Sequence, residues 1–111
     1  MAMLTTPGTP DPIPLEVARS ARARRRGLLG RDGIKGALLL SPASALHTLG
    51  MRFAIDVAYL DRSLRVVAVR TMRPGRIGLP RPRARHALEA EAGAMQRWGI
   101  RRGVRVAVQD D

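Results

Sequence analysis

Residues 47–61 read HTLGMRFAIDVAYLD, and this stretch carries the strongest structural signal in the 111-residue chain. From Phe53 to Leu60 the residues are apolar except for Tyr59 and a single aspartate, Asp56. Alternation along a strand places the odd-numbered residues on one face and Asp56 on the other. The pattern predicts a buried strand, in which a polar side chain needs hydrogen-bonding partners or a functional role.

The segments on either side of this stretch predict a mainly β fold. Leu64 to Thr71 is rich in β-branched residues and follows a short connection, which indicates a β-hairpin. Ser20 is suited to cap a helix that continues to Leu29 and ends at Gly30. Other predicted strands and a second short helix lie at 15–19, 37–40, 86–92, 104–108 and 93–99. We expect a small barrel or sandwich of five to seven short strands with two short helices.

The length suits one domain with a modest core. Residues 1–14 carry four prolines and no apolar periodicity, so they predict a disordered, proline-rich leader. Residues 15–108 are expected to form a single β-rich domain, and residues 109–111 a short tail.

The formal net charge of +11 at pH 7 comes almost entirely from arginine, since Lys35 is the single lysine. Arginine, alanine, glycine and proline are abundant together, which is typical of a GC-rich genome and favours a solvated basic surface. With three aromatic residues there is little to stack on bases, so nucleic acid is not the expected partner. The chain has no cysteine, no apolar run long enough for a transmembrane segment and no secretory signal, and a cytoplasmic protein is expected.

Four motifs occur in an order that resembles the domain-of-unknown-function 192 family, in its short bacterial form without a signal sequence. They are the segments 27–31 (GLLGR), 47–61, 88–93 (LEAEAG) and 103–104 (GV). The resemblance implies a compact β-rich barrel or sandwich and implies no activity. Ala54 stands where the family motif usually has proline, which loosens the backbone beside Asp56.

A candidate polar cluster follows from the same segments: His47, Thr48, Arg52, Asp56 and Glu89. An imidazole, a hydroxyl and a carboxylate brought together can bind a polar ligand or transfer protons. The alternative is structural, with Asp56 accepting backbone hydrogen bonds or pairing with Arg52 and His47. The structural interpretation is preferred, so no catalytic residue is assigned.

The loop before the predicted strand at 86–92 offers a second candidate binding site. Arg81, Arg83 and Arg85 alternate in a proline-containing loop, and an extended backbone would present all three on one side. Glu89 and Glu91 also share a strand face, where ion pairs with surplus arginines are the preferred interpretation. We predict no metal site, because a third ligand would have to come from elsewhere, and no cofactor, because no glycine-rich nucleotide loop is present.

Three functional hypotheses remain. The first is a binding module, without catalysis, for a small polar or anionic ligand or a protein partner. The second is an enzyme that uses His47 and Asp56. The third is weak binding of the basic surface to nucleic acid or another anionic surface.

Overall fold

The computed structural model describes residues 2–110, in which seven strands form one sheet and two helices are short. In chain order the elements are β1 (Ala2–Thr6), β2 (Thr9–Ala18), α1 (Ala21–Arg26), β3 (Ala37–Leu40), β4 (Ile55–Leu60), β5 (Val66–Met72), β6 (His86–Glu91), α2 (Ala94–Arg97) and β7 (Ala107–Asp110). The predicted mainly β fold with two short helices is confirmed. The longest helix in the described residues has six residues, so no helix there can span a bilayer.

The sheet has the strand order β5-β4-β6-β3-β2-β1-β7. All neighbouring strands are antiparallel except β2 and β3. The sheet curls without closing. The segment before β7 meets the start of β5, where the Val66 N–H donates to the Val104 carbonyl at 2.8 Å and the Val106 N–H donates to the Leu64 carbonyl at 3.0 Å. The predicted hairpin is confirmed as β4 and β5, with Asp56 opposite Thr71.

Two hydrophobic clusters cover opposite faces of the central strands. The inner cluster includes Leu39, Ala58, Leu88 and Met95, contributed by β3, β4, β6 and α2. The outer cluster includes Leu28, Leu40, Val57, Tyr59 and Ala87, and the turn after α1 covers part of it. Because both faces are covered, all residues of β3 and β4 are buried, including positions that face away from the inner cluster.

The N-terminal region differs from the predicted leader, because residues 2–14 form β1 and most of β2. Pro10, Pro12 and Pro14 recur every second residue, so their nitrogens, which have no hydrogen to donate, lie along one edge of β2. The strand β3 pairs with β2 only from Leu15 onward. At the proline positions β2 therefore has a partner, β1, on one side only, and the missing donors cost no ladder hydrogen bond.

The helix α1 begins as predicted and ends earlier. The Ser20 hydroxyl accepts a hydrogen bond from the Ala23 N–H at 3.0 Å. The helix stops at Arg26 because Gly27 adopts a φ of 47°, a conformation that favours glycine, three residues before the predicted end at Gly30. The early stop turns Leu28 into the outer cluster, where it is buried.

Candidate functional site

A cavity of about 720 Å³ lies against the outer face of the sheet, between α1 with its following turn and the loops at 42–47 and 80–85. Its apolar wall is made by buried side chains, namely Leu28, Leu40, Met51 and Ala84. Arginines and a histidine contribute to the lining as well, namely Arg24, Arg25, Arg26, Arg81, Arg85 and His47. The cavity therefore combines an apolar wall with a strongly basic rim.

Glu89 is the buried acidic residue of this cavity. In the sheet it stands directly opposite Leu38 of β3 and Val57 of β4, both members of the outer cluster. The residue is only 2% exposed, and Oε1 has no hydrogen-bond partner within residues 2–110. Burial raises the pKa of Glu89 from 4.5 to about 7. Near neutral pH this carboxyl group is able either to donate or to accept a hydrogen bond.

The arginines of α1 differ in whether their guanidinium groups already form hydrogen bonds within the protein. Arg24 donates from Nε to the Arg19 carbonyl at 3.2 Å and from Nη1 to the Pro42 carbonyl at 3.2 Å, so it ties the helix to the facing loop. In the part of the chain that the structure describes, the exposed Arg25 and Arg26 side chains form neither a salt bridge nor a hydrogen bond. Their guanidinium groups are therefore available to an anion.

His47 lines the cavity and is exposed. The Leu49 N–H donates to His47 Nδ1, with 3.2 Å between the two nitrogens. His47 also forms an isolated β-bridge with Ile77, which joins the loop after β3 to the loop after β5.

Thr48 is fully buried and structural. Its hydroxyl donates to the Arg73 carbonyl and accepts from the Arg76 N–H at 2.9 Å. One side chain thus satisfies two backbone groups of the turn that follows β5. To bind a ligand, the Thr48 hydroxyl would have to break its hydrogen bonds with the Arg73 carbonyl and the Arg76 N–H.

Replacing Thr48 by valine is expected to lower the free energy of unfolding by about 2 kcal/mol, because two backbone groups lose the hydroxyl of a fully buried side chain as their partner while side-chain volume is kept. Denaturant unfolding measures the loss, and faster hydrogen exchange of the Arg76 N–H locates it. Unchanged stability together with unchanged exchange would contradict this role.

Asp56 belongs to a different part of the molecule from His47. It is 4% exposed and projects from the β4 face that carries the inner cluster, opposite to the face that Glu89 and the cavity occupy. Its Oδ2 atom accepts from the N–H groups of Gly93 at 2.9 Å and Met95 at 3.2 Å, and Oδ1 accepts from the Thr71 hydroxyl at 2.7 Å. Oδ2 therefore holds the start of α2 in place, and Oδ1 ties Asp56 to β5.

Arg52 is also separate from the cavity, since its Nη1 atom pairs with the exposed Asp32 at 3.1 Å. Of the five residues of the predicted polar cluster, the structure brings together His47 and Glu89 as lining residues of one cavity. Thr48 and Asp56 are instead occupied by hydrogen bonds within the protein, and Arg52 by an ion pair.

The basic loop is not extended as expected. The Ala84 N–H donates to the Arg81 carbonyl at 2.9 Å, which closes a tight turn over residues 81–84. The turn breaks the alternation, so Arg81 and Arg85 line the cavity while Arg83 is exposed outside that lining. Arg81 stacks over the Tyr59 ring, with the guanidinium carbon 5.3 Å from the ring centroid.

The ion-pair interpretation holds for one of the two glutamates. Glu91 accepts from Arg97 Nη2 at 2.6 Å on the surface. It is wrong for Glu89, because the turn after α1 covers that residue and keeps its Oε1 without a partner. An added Cβ on Gly27 would lie 3.4 Å from this oxygen, which shows how closely the turn covers the carboxyl group.

Fold and site together define a small mainly β domain with an arginine-rimmed cavity on the outer face of its sheet. The chain belongs to the DUF192 family, whose sequence model, described as "Uncharacterized ACR", matches residues 2–108. The resemblance seen in the sequence motifs is thereby confirmed.

Known relatives agree with this membership. The UPF0127 protein PH1112 of Pyrococcus horikoshii is 42% identical over 50 residues, which are 45% of this chain and 44% of the relative. The matched region thus spans less than half of that protein's length.

Two crystal structures share the fold. A protein of unknown function from Novosphingobium aromaticivorans has a TM-score of 0.81 at 19% identity, over 96% of this chain and 82% of the other. A protein from Sinorhizobium meliloti, described provisionally as a transcription regulator, has a TM-score of 0.81 at 18% identity, over 96% and 91%. At these identities the likeness establishes the fold alone.

Proposed function

We propose that the protein is a binding module for a small organic anion, which it holds in the cavity between α1 and the loop at 80–85. The observation that carries the proposal is Glu89, a buried carboxyl group without a hydrogen-bond partner for Oε1, in a cavity lined by arginines. A suitable ligand has an anionic group that binds the arginines of the rim and a hydroxyl or amine that donates a hydrogen bond to Glu89.

Binding of a ligand would be energetically favourable for Glu89, Arg25 and Arg26. A buried polar atom without a partner costs about 1–3 kcal/mol, and a hydrogen bond from a ligand removes that cost. Arg25 and Arg26 supply charge-assisted hydrogen bonds to carboxylate or phosphate oxygens. The volume of about 720 Å³ falls within the range of ordinary small-molecule sites, and the apolar wall matches their usual composition.

Catalysis by His47 and Asp56 has less support, because Oδ2 of Asp56 accepts from the start of α2, Oδ1 accepts from Thr71, and Asp56 does not line the cavity that contains His47. A cytoplasmic location stays a prediction, which fractionation of cells that express the protein tests.

The test uses anilinonaphthalene sulfonate, a fluorescent probe that joins apolar rings to one sulfonate group. We expect the Arg25→Gln/Arg26→Gln variant to bind this probe at least about tenfold more weakly, because two charge-assisted contacts are lost. Glutamine keeps α1 helical. Displacement of the probe by citrate or by glucose 6-phosphate then compares carboxylates with phosphate esters.

The matched control is Arg101→Gln/Arg102→Gln, which removes the same charge from an exposed turn outside the cavity. Its probe affinity should change less than about twofold, since only screened long-range attraction is lost. An equal loss in both variants, or no loss in the first, contradicts binding in the cavity.

A further inference from the structure

The exposed large hydrophobic residues of the described chain converge on one corner of the molecule. Leu49, Ile77 and Leu79 are 46%, 76% and 73% exposed. They belong to two segments that hydrogen bonds hold together, since the Gly75 N–H donates to the Thr48 carbonyl at 2.8 Å and the Gly78 N–H donates to the Leu46 carbonyl at 2.9 Å. The three exposed apolar side chains therefore lie on one hydrogen-bonded corner, whereas exposed apolar residues are ordinarily scattered singly over a protein surface.

The same corner is strongly basic. Residues 70–81 contain four arginines, Arg70, Arg73, Arg76 and Arg81, and neither aspartate nor glutamate. Within residues 2–110 the salt bridges involve other arginines, so those of this segment are not neutralised by an acidic side chain. The charge is therefore available to an anionic partner.

A second cavity, of about 410 Å³, lies in this corner. Its lining includes Arg70, Arg73, Arg76 and Arg81, together with Ile77. Arg81, which stacks over the Tyr59 ring, lines both this cavity and the one that contains Glu89. Several guanidinium groups around one small concavity suit a phosphate group.

We propose that this corner, formed by residues 46–50 and 70–81, docks on an anionic lipid bilayer. Ile77 and Leu79 enter the boundary between headgroups and acyl chains, and Arg70, Arg73 and Arg76 bind lipid phosphates around the second cavity. Interfacial binding of proteins uses this combination of projecting apolar side chains with a basic surround.

Nucleic acid fits the corner less well. Ile77 and Leu79 would remain in water beside a phosphate backbone, and Tyr59, the aromatic residue of this corner, is 1% exposed and offers no stacking platform. A bilayer removes the aliphatic side chains from water and binds the arginines at the same depth. The corner adjoins the small-anion site and shares Arg81 with it, but the proposal uses none of the α1 arginines that the test of that site changes.

The experiment is sedimentation of the full chain with vesicles of phosphatidylcholine alone and with vesicles containing about one third phosphatidylglycerol. We expect binding to the anionic vesicles and little to the neutral ones. Ile77→Ser/Leu79→Ser should weaken binding about tenfold or more, because burial of two aliphatic side chains is lost. Arg73→Gln/Arg76→Gln should weaken it about 25-fold, at about fivefold for each basic residue.

The control Arg101→Gln/Arg102→Gln carries the same charge as the Arg73→Gln/Arg76→Gln variant and should bind within about threefold of the native chain. Thermal unfolding verifies that each variant is folded, as expected for exposed side chains.

Absence of binding to anionic vesicles overturns the proposal, as does an equal loss in the control. The proposal is also overturned if the Ile77→Ser/Leu79→Ser variant binds the anionic vesicles as tightly as the native chain does. A duplex DNA that binds as tightly as the vesicles, with no effect of that variant, assigns the corner to nucleic acid instead.

Discussion

Replacing Asp56 by alanine is expected to lower the free energy of unfolding by about 4 kcal/mol. The carboxylate accepts three hydrogen bonds, and two of them come from the Gly93 and Met95 N–H groups at the start of α2. Alanine leaves those donors without a partner beneath a helix that contributes the buried Met95 to the inner cluster. Urea unfolding measures the change, and hydrogen exchange at Gly93 and Met95 should accelerate.

Asparagine at the same position should cost only about 1 kcal/mol. Its carbonyl oxygen takes the place of Oδ2 and accepts from both N–H groups, while its amide donates to the Thr71 hydroxyl. The charge is lost and the hydrogen bonds remain. Thr71→Val, which removes one of the three bonds, should also cost about 1 kcal/mol.

This pattern separates a structural Asp56 from a catalytic one. A general base requires the carboxylate, so asparagine would be as harmful as alanine to any activity. If asparagine and alanine at position 56 destabilise the protein equally, the assigned hydrogen bonds are wrong.

Replacing Glu89 by glutamine is expected to change the pH dependence of stability, by up to about 3 kcal/mol between about pH 4 and pH 8. The pKa of the buried carboxyl group is about 7 in the folded protein, against an ordinary value of 4.5, because burial disfavours its charged form. Glutamine has a similar shape and does not titrate. The measurement is urea unfolding of both proteins at a series of pH values.

The sign follows from proton binding. Between pH 4.5 and about 7 the folded state holds the Glu89 proton more tightly than the unfolded chain, so the free energy of unfolding falls as pH rises. Above the folded-state pKa the decline stops. The glutamine variant lacks this decline, so relative to the native protein it gains stability as pH increases.

Taking the difference between the two proteins cancels the other titrating groups. Among these, hydrogen bonds from Arg31 lower the pKa of Glu16, and burial lowers the pKa of His86. A difference that stays constant from acid to alkaline pH would show that Glu89 is already ionised and well solvated. A saturating anion with a hydrogen-bond donor for Glu89 should shrink the difference, which links this measurement to the proposed site.

Much of the sheet could be predicted from local pattern. The apolar run Ala37–Leu40, the hairpin formed by β4 and β5, and the strand that begins at His86 correspond to observed elements. Alternation also predicted correctly that Asp56 faces away from Val57, because the two-residue repeat of a strand is a property of its own backbone.

Prediction failed where pairing with a distant segment decides the outcome. The prolines at 10, 12 and 14 indicate an irregular leader when read alone, yet β1 pairs with that segment on the side where donors exist. Arg81 and Arg85 enter the cavity because a turn at residues 81–84 interrupts the expected alternation. Arg25 is exposed, and its position beside the cavity depends on where α1 packs.

The sequence by itself determined the β-rich class of the fold, the family and the alternation that assigns Asp56 and Glu89 to their strand faces. Only the tertiary structure decided what covers each face. The start of α2 occupies Asp56 with backbone N–H groups, whereas the turn after α1 buries Glu89 and leaves its Oε1 without a donor. The physical reason is that strand geometry sets where a side chain points, while its partners come from segments far away in the chain.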